Sequence, residues 1–202
     1  MNNFIFIEGV SSAGKTTTTV LLGRRLTSMG YKVNYYIEGD RDNPFDPFCG
    51  GYPPEMPCEE FMKAHCEYWK GFIIKESMKD TVLIVEGTLL HRQANDLLRI
   101  YAAPDDVILN YIMSLYNIVR HYKPAVFYLS PNNVADSLRR KRECWELPAP
   151  TDEQIAFWEN RKRVDLYVLN KLPIKQFIID IVDDWEPAVE QMARYVTEQP
   201  EA

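Results

Sequence analysis

Along the chain, short apolar runs alternate with longer stretches in which apolar residues recur at helical spacing. Phe4-Ile5-Phe6-Ile7 is a continuous apolar run ending in a glycine turn, the pattern of a strand buried on both faces. Val20, Leu21, Leu22 and Leu26 then mark a helix from Lys15 to about Ser28, with Gly30 stopping it. Lys32 to Ile37 alternates weakly and predicts a second strand. Asp42 to Pro57 carries five prolines, two glycines and three aromatics, which predicts a loop. Glu59 to Met78 predicts a helix and Thr81 to Val85 a third strand.

From Pro104 to Tyr122 the stripe Ile108, Tyr111, Ile112, Leu115, Ile118, Val119 has helical spacing. Pro104, Asp105 and Asp106 suit that helix's N-terminus. Ala125 to Leu129 is the fourth predicted strand, Pro131 to Arg142 a short helix with a basic end, and Thr151 to about Leu172 a longer one. Phe177 to Val182 and Glu186 to Val196 close the chain as strand and helix. Five strands alternating with helices predict an α/β fold: a parallel sheet covered on both faces, doubly wound by right-handed crossovers. No repeat or linker interrupts the pattern, so a single domain over residues 1–202 is expected.

Composition narrows the picture. The balance of 23 basic and 29 acidic residues gives a net charge of −6, which offers no electrostatic case for nucleic-acid polymers or anionic membranes. No apolar run approaches the ~18 residues of a membrane span, and no signal segment opens the chain. The four cysteines (Cys49, Cys58, Cys66, Cys144) form no Cys-x-x-Cys pair and read as reduced thiols, with a cytoplasmic location expected.

The candidate chemistry begins after the first strand. Gly9-Val10-Ser11-Ser12-Ala13-Gly14-Lys15-Thr16 fits the Gly-x4-Gly-Lys-Thr phosphate-binding pattern, between a predicted strand and a predicted helix. Glycines there let successive N–H groups turn inward as an anion nest, and the helix N-terminus adds its positive end. Gly9, Ser12, Ala13, Gly14, Lys15, Thr16 and Thr17 are the expected nucleotide contacts. Lys15 would reach the β- and γ-phosphates, and the Thr16 hydroxyl would ligate Mg²⁺. A GTPase would need Asp-x-x-Gly and Asn-Lys-x-Asp; Asn170-Lys171-Leu172-Pro173 lacks the aspartate, and Asp-x-x-Gly is absent. The Ser-Gly-Gly signature of transporter ATPases is absent too. A small-molecule kinase using ATP and Mg²⁺ is the simplest remaining class, with a nucleotide-binding module that does not turn over as its rival.

A family resemblance sharpens this. Phe6-Ile7-Glu8-Gly9 running into Gly14-Lys15-Thr16-Thr17 resembles the opening of thymidylate kinases. Pro124 to Leu129, with Asn133-Val134-Ala135 and Arg139-Arg140-Lys141-Arg142, resembles the fourth strand and lid of thymidylate and deoxynucleoside kinases. The resemblance implies the P-loop kinase strand order 2-3-1-4-5, a lid at about 136–150, phosphoryl transfer from ATP to a nucleoside or nucleotide, and homodimerisation through the Ile108 to Val119 helix. It places Glu38 beside the acceptor hydroxyl, where a carboxylate accepts the proton, with Asp40 competing for that role. It places Glu86 near Mg²⁺, reached through water. The basic run would close over the transferring phosphoryl group, Arg140 and Arg142 fitting the lid pattern best and Arg139 adding a nucleotide contact.

The sequence departs from the family at Gly87, where an arginine is usual. Arg41 or Arg92 could substitute, or be surface residues. Ser11-Ser12-Ala13-Gly14-Lys15 also resembles chloramphenicol phosphotransferases locally, so a hydroxyl acceptor outside the nucleosides stays open. Phe45, Phe48 and Tyr52 in the loop, with Tyr68 and Trp69, could stack on a planar acceptor. Equally, Trp69 and Phe61 could line a core stripe. His91, beside Arg92, is the histidine nearest the predicted edge, and Trp145 and Trp158 are expected to pack under the lid or in the core.

Overall fold

The structure, a computed structural model, describes residues 3–39, 56–181 and 185–198. The strands are β1 (Asn3–Gly9), β2 (Val33–Tyr36), β3 (Val82–Glu86), β4 (Ala125–Ser130) and β5 (Lys175–Asp180). All pair in parallel, in the order β2-β3-β1-β4-β5. The three central strands are the continuous apolar runs, and β3 and β4 are buried at every position. The edge strands β2 and β5 mix exposed with half-buried positions, as strands covered less completely must.

The helices are α1 (Lys15–Ser28), α2 (Cys58–Ser77), α3 (Arg92–Arg99), α4 (Asp105–Val119), α5 (Val134–Cys144), α6 (Asp152–Leu169) and α7 (Glu186–Thr197), with a 3₁₀ turn at Arg120–Tyr122. Side chains alternate across the sheet. Ile5, Ile7, Ile84 and Phe127 meet Leu22 and Leu26 of α1, Leu138 of α5 and Met192 of α7. Phe4, Phe6, Leu83 and Val126 meet Phe61 and Trp69 of α2, Leu115 of α4 and Val168 of α6. Each period-2 strand therefore serves two cores, one per face. This is the three-layer arrangement of the P-loop kinase type.

Local chemistry sets the helix ends. Thr151 and Gln154 form a reciprocal capping box at the start of α6, with bonds of 3.2 and 3.1 Å. Pro104 caps α4, with Asp105 and Asp106 in its first turn. Ile108, Tyr111, Ile112, Leu115 and Val119 are all buried, so that stripe belongs to the core. Phe61 and Trp69 likewise lie in the core.

Two expectations need correction. α3 was not expected, because its short segment holds too few apolar residues to show a period. Trp145 is 68% exposed, not packed under the lid or in the core. Trp158 is half-buried, stacked on His91. Asp40, Arg41, Phe45, Phe48 and Tyr52 lie outside the described residues, as does the side chain of Arg92.

A buried polar frame holds the turn between β3 and α3. Glu8 of β1 is fully buried, and its carboxyl oxygens accept from the backbone N–H of Leu89 (2.8 Å) and of His91 (3.1 Å). From α6, Arg161 donates to the Leu90 carbonyl and to Asn95 Oδ1 (3.0 Å). It also pairs with Asp165 at 2.6 Å, and Asp165 accepts from the Tyr128 hydroxyl at 3.1 Å. Arg161 and Asp165 are 0% and 1% exposed.

Removing one partner of such a pair strands a buried charge. Arg161→Ala is expected to lower unfolding stability by about 3–5 kcal/mol, and Arg161→Met with Asp165→Leu to recover most of it. Urea midpoints at constant m-value check this. Burial, opposed by the Leu89 N–H and the charge of Lys15, raises the Glu8 carboxyl to about 8. The folded chain then holds a proton that the unfolded chain releases above about 4.5. Stability from this group is full below pH 4.5 and is lost up to about pH 8, at no more than about 1.4 kcal/mol per pH unit. Glu8→Gln should remove that slope: the stability difference between variant and wild type should move in the variant's favour from pH 5 to 8 and then level off.

Candidate functional site

The turn between β1 and α1 sits at the carboxyl edge of the sheet, where open α/β folds bind ligands. Gly14, at φ +77°, caps α1. A Cβ there would lie 2.2 Å from Trp185, so only glycine lets the turn pass beneath that indole. Ser12 also takes a left-handed conformation, at φ +69°. Lys15 opens α1 and is 6% exposed; its Nζ donates to the carbonyls of Gly9 (3.2 Å) and Val10 (3.3 Å).

Neighbouring strands bring acids to the same place. Glu86 ends β3 and is 2% exposed, accepting from Thr16 Oγ1 at 2.7 Å and from the backbone N–H of Glu38 at 3.2 Å. Burial raises its carboxyl, against the lowering effects of the Thr16 hydroxyl and Lys15. Glu38 follows β2 and is half-buried, with Oε2 3.8 Å from Lys15 Nζ and Oε1 3.6 Å from His91 Nε2. Lys15, Thr16, Glu38 and Glu86 thus form one cluster.

α5 covers the cluster from the other side. Ser137 Oγ donates to the Ser12 carbonyl at 2.9 Å. Lys141 Nζ lies 3.5 Å from Ser11 Oγ, and burial of the ammonium together with the charge of Lys15 lowers its pKa. A cavity of about 640 Å³ lies between α5 and the turn, its walls including Ser12, Ala13, Thr17, Arg140, Lys141 and Trp185.

The basic run divides. Arg140 and Lys141 line this cavity. Arg139 pairs with Asp136 at the surface, at 2.9 Å. Arg142 donates to the Pro148 carbonyl at 2.8 Å and lines a second cavity of about 650 Å³, beside Phe157 and Trp158. Helix phase explains the division: Val134, Ser137 and Leu138 are the buried residues of α5, and Lys141 lies seven, four and three residues beyond them. Sequence reasoning missed Lys141, although that spacing could have found it. It also missed Glu8 and Trp185, for which a lone acid in an apolar strand and a lone tryptophan gave no signal.

The chemistry of the donors fits a hard divalent cation, since the Thr16 hydroxyl and the Glu86 carboxylate are adjacent oxygens. Among the described residues no group of three or more His, Cys, Asp or Glu could hold a metal alone. Also among them, no helix is long and apolar enough to cross a membrane.

No family model matches the chain, and no curated protein matches it in sequence. In fold it is similar to the crystal structure of a thymidylate kinase from Ehrlichia chaffeensis, with a TM-score of 0.59 and 16% identity over 96% of this chain and 98% of that one. The likeness spans nearly the whole of both chains, and the fold is that of the P-loop NTPase kinases.

Proposed function

We propose that this protein is a P-loop phosphotransferase that moves the γ-phosphoryl group of ATP to a small-molecule acceptor, most simply a nucleoside or nucleotide. The observation that carries the reading is the convergence of Lys15, Thr16, Glu86 and Glu38 at one sheet edge, under a helix that brings Lys141. The fold likeness to a thymidylate kinase supports the nucleotide-kinase class.

In this reading the backbone N–H groups of residues 12–17 and the N-terminus of α1 cradle the triphosphate. Lys15 exchanges its carbonyl partners for β- and γ-phosphate oxygens, its stem already buried in place. Thr16 and Glu86 would hold Mg²⁺, Glu86 through water; bound there, the ion neutralises charge on the phosphates. Lys141 and Arg140 meet the transferring group from the lid side, where they stabilise its charge. Glu38 accepts the proton of an acceptor hydroxyl. Gly87 favours an acceptor that offers a hydroxyl rather than a phosphate, because no side chain from that position reaches the acceptor side.

Acceptor-stimulated ADP release across nucleosides, nucleotides, sugars and hydroxylated antibiotics tests the reading. At least one class should stimulate release, and Lys15→Ala should cut turnover by roughly 100-fold or more. Stimulation by no class, with Lys15→Ala indistinguishable from wild type, would falsify it. Within the basic run, Lys141→Ala should lower kcat about 10- to 100-fold while Arg142→Ala stays within about twofold. The reverse order would remove Lys141 from the site. Glu86→Gln should raise the Mg²⁺ concentration needed for half-maximal rate by about tenfold.

A further inference from the structure

Glu38 presents its two oxygens to two different partners. Oε2 faces Lys15 on the cradle side, at 3.8 Å, and Oε1 faces His91 Nε2 on the other, at 3.6 Å. The imidazole that meets Oε1 is built in. Its ring lies parallel to the Trp158 indole, 7° between planes and 5.4 Å between centroids. Its backbone N–H is held by a carboxyl oxygen of the buried Glu8 at 3.1 Å, and its carbonyl accepts from Asn95 N–H at 3.1 Å as α3 begins. The residue is 5% exposed.

Gly87 completes the arrangement. It sits at φ +62°, and a Cβ there would lie 3.2 Å from Glu38 Oε2, 3.4 Å from His91 Cβ and 3.4 Å from Lys15 Cε. Lys15, Glu38 and His91 thus converge over one glycine. An imidazole needed only to fill space beside Trp158 would not have to turn its Nε2 edge to a half-exposed carboxylate.

We infer that His91 is a positioning residue for phosphoryl transfer, holding the Glu38 carboxylate toward an acceptor whose reacting group is a neutral hydroxyl. This rests on the phosphotransferase reading above. In the step, the acceptor hydroxyl oxygen forms a bond to the γ-phosphorus. The bond from that phosphorus to the β–γ bridging oxygen breaks, and its electron pair leaves on ADP. The hydroxyl proton passes to Glu38. His91 gains and loses no atom. Its part is to fix Oε1 when the triphosphate draws Lys15 away from Oε2. An acceptor phosphate would instead set its negative charge against Glu38 and Glu86. Among the described residues, the titratable and charged groups about His91 include Glu8 from β1, Lys15 from α1, Glu38 after β2, and Arg161 from α6 beneath its turn.

The test compares wild type with His91→Phe, His91→Gln, Glu38→Gln and the double variant His91→Phe/Glu38→Gln, using ATP with nucleosides and with nucleoside monophosphates. Phe keeps a ring for Trp158 but has no nitrogen; Gln keeps an N–H for Glu38. With a nucleoside, His91→Phe should lower kcat about tenfold or more while the KM for ATP stays within about twofold. His91→Gln should restore most of that loss, the double variant should be no slower than Glu38→Gln alone, and the acidic limb of the pH–kcat profile should move in His91→Phe. Wild-type kcat and pH profile in His91→Phe would reduce the imidazole to packing and overturn the proposal. So would a loss that Gln does not restore and that raises the KM for ATP equally, since that is the signature of a disturbed fold. Transfer by wild type to monophosphates alone overturns the hydroxyl assignment. Transfer to neither of these, nor to the sugars and hydroxylated antibiotics of the acceptor screen, defeats the phosphotransferase reading itself, and the proposal falls with it.

Discussion

Glu8 is a carboxyl group near the end of an apolar central strand, on the face it shares with Phe4 and Phe6. Water cannot solvate it there, so neighbouring backbone must. The turn after β3 supplies that backbone: Leu89 and His91 direct their N–H groups at its two oxygens. The turn has no freedom to lie elsewhere without leaving a buried acid unpaired. Arg161 reaches the same turn from α6, capping the Leu90 carbonyl, so the segment is fixed through its donors from one side and its acceptor from another. Thr88, Leu89, Leu90 and His91 are accordingly all buried, in a stretch that leaves the sheet at its carboxyl edge.

That frame decides what can stand at the edge. Glu86 must end β3 beside Thr16, because the register sets Glu86 opposite Ile7, two residues before β1 gives way to the cradle. His91 must come back toward the end of β2, because its backbone is tied to β1. The site cluster is thus assembled by strand register and by a buried hydrogen-bonded turn, both set by residues that touch no ligand in the proposed reaction.

The fold was legible in the sequence because the apolar runs carry it directly. Central strands are unbroken runs, and β2, at one edge of the sheet, shows only weak alternation because it is incompletely covered. The starts of α4 and α6 were legible because Pro104 and Thr151 are chemical signals in themselves. α3 was not: its apolar residues are Ala94, Leu97 and Leu98, and eight residues give a period no room to show. The candidate site was legible where one residue type can do one job, as with Lys15 after Gly14, or an acid closing an apolar strand. It was not legible where tertiary context chooses among neighbours. Residues 139–142 are equivalent in charge, and only the docking of Val134 and Leu138 selects Lys141 for the cradle. Glu8 escaped for a related reason, since its partners are backbone groups of a turn that no side-chain pattern announces.

The charges in the cleft are sorted by the element that brings them. Positive groups come from the cradle and from α5: Lys15, Arg140 and Lys141. Acids come from the ends of β2 and β3: Glu38 and Glu86. A triphosphate entering this cleft of a chain of net charge −6 meets cations on its cradle and lid walls. Lys15 stands at the boundary, held by two carbonyls and facing one Glu38 oxygen. Any anion that takes Lys15 must compete with Glu38 for it, and the energy of that competition appears in the carboxylate. Freed on one oxygen, Glu38 would keep His91 on the other, and in the proposed reaction its negative charge is then directed away from the cradle and toward the acceptor. In the proposed reaction, filling the donor site and freeing Glu38 are then one electrostatic event, with Gly87 leaving the space in which it happens.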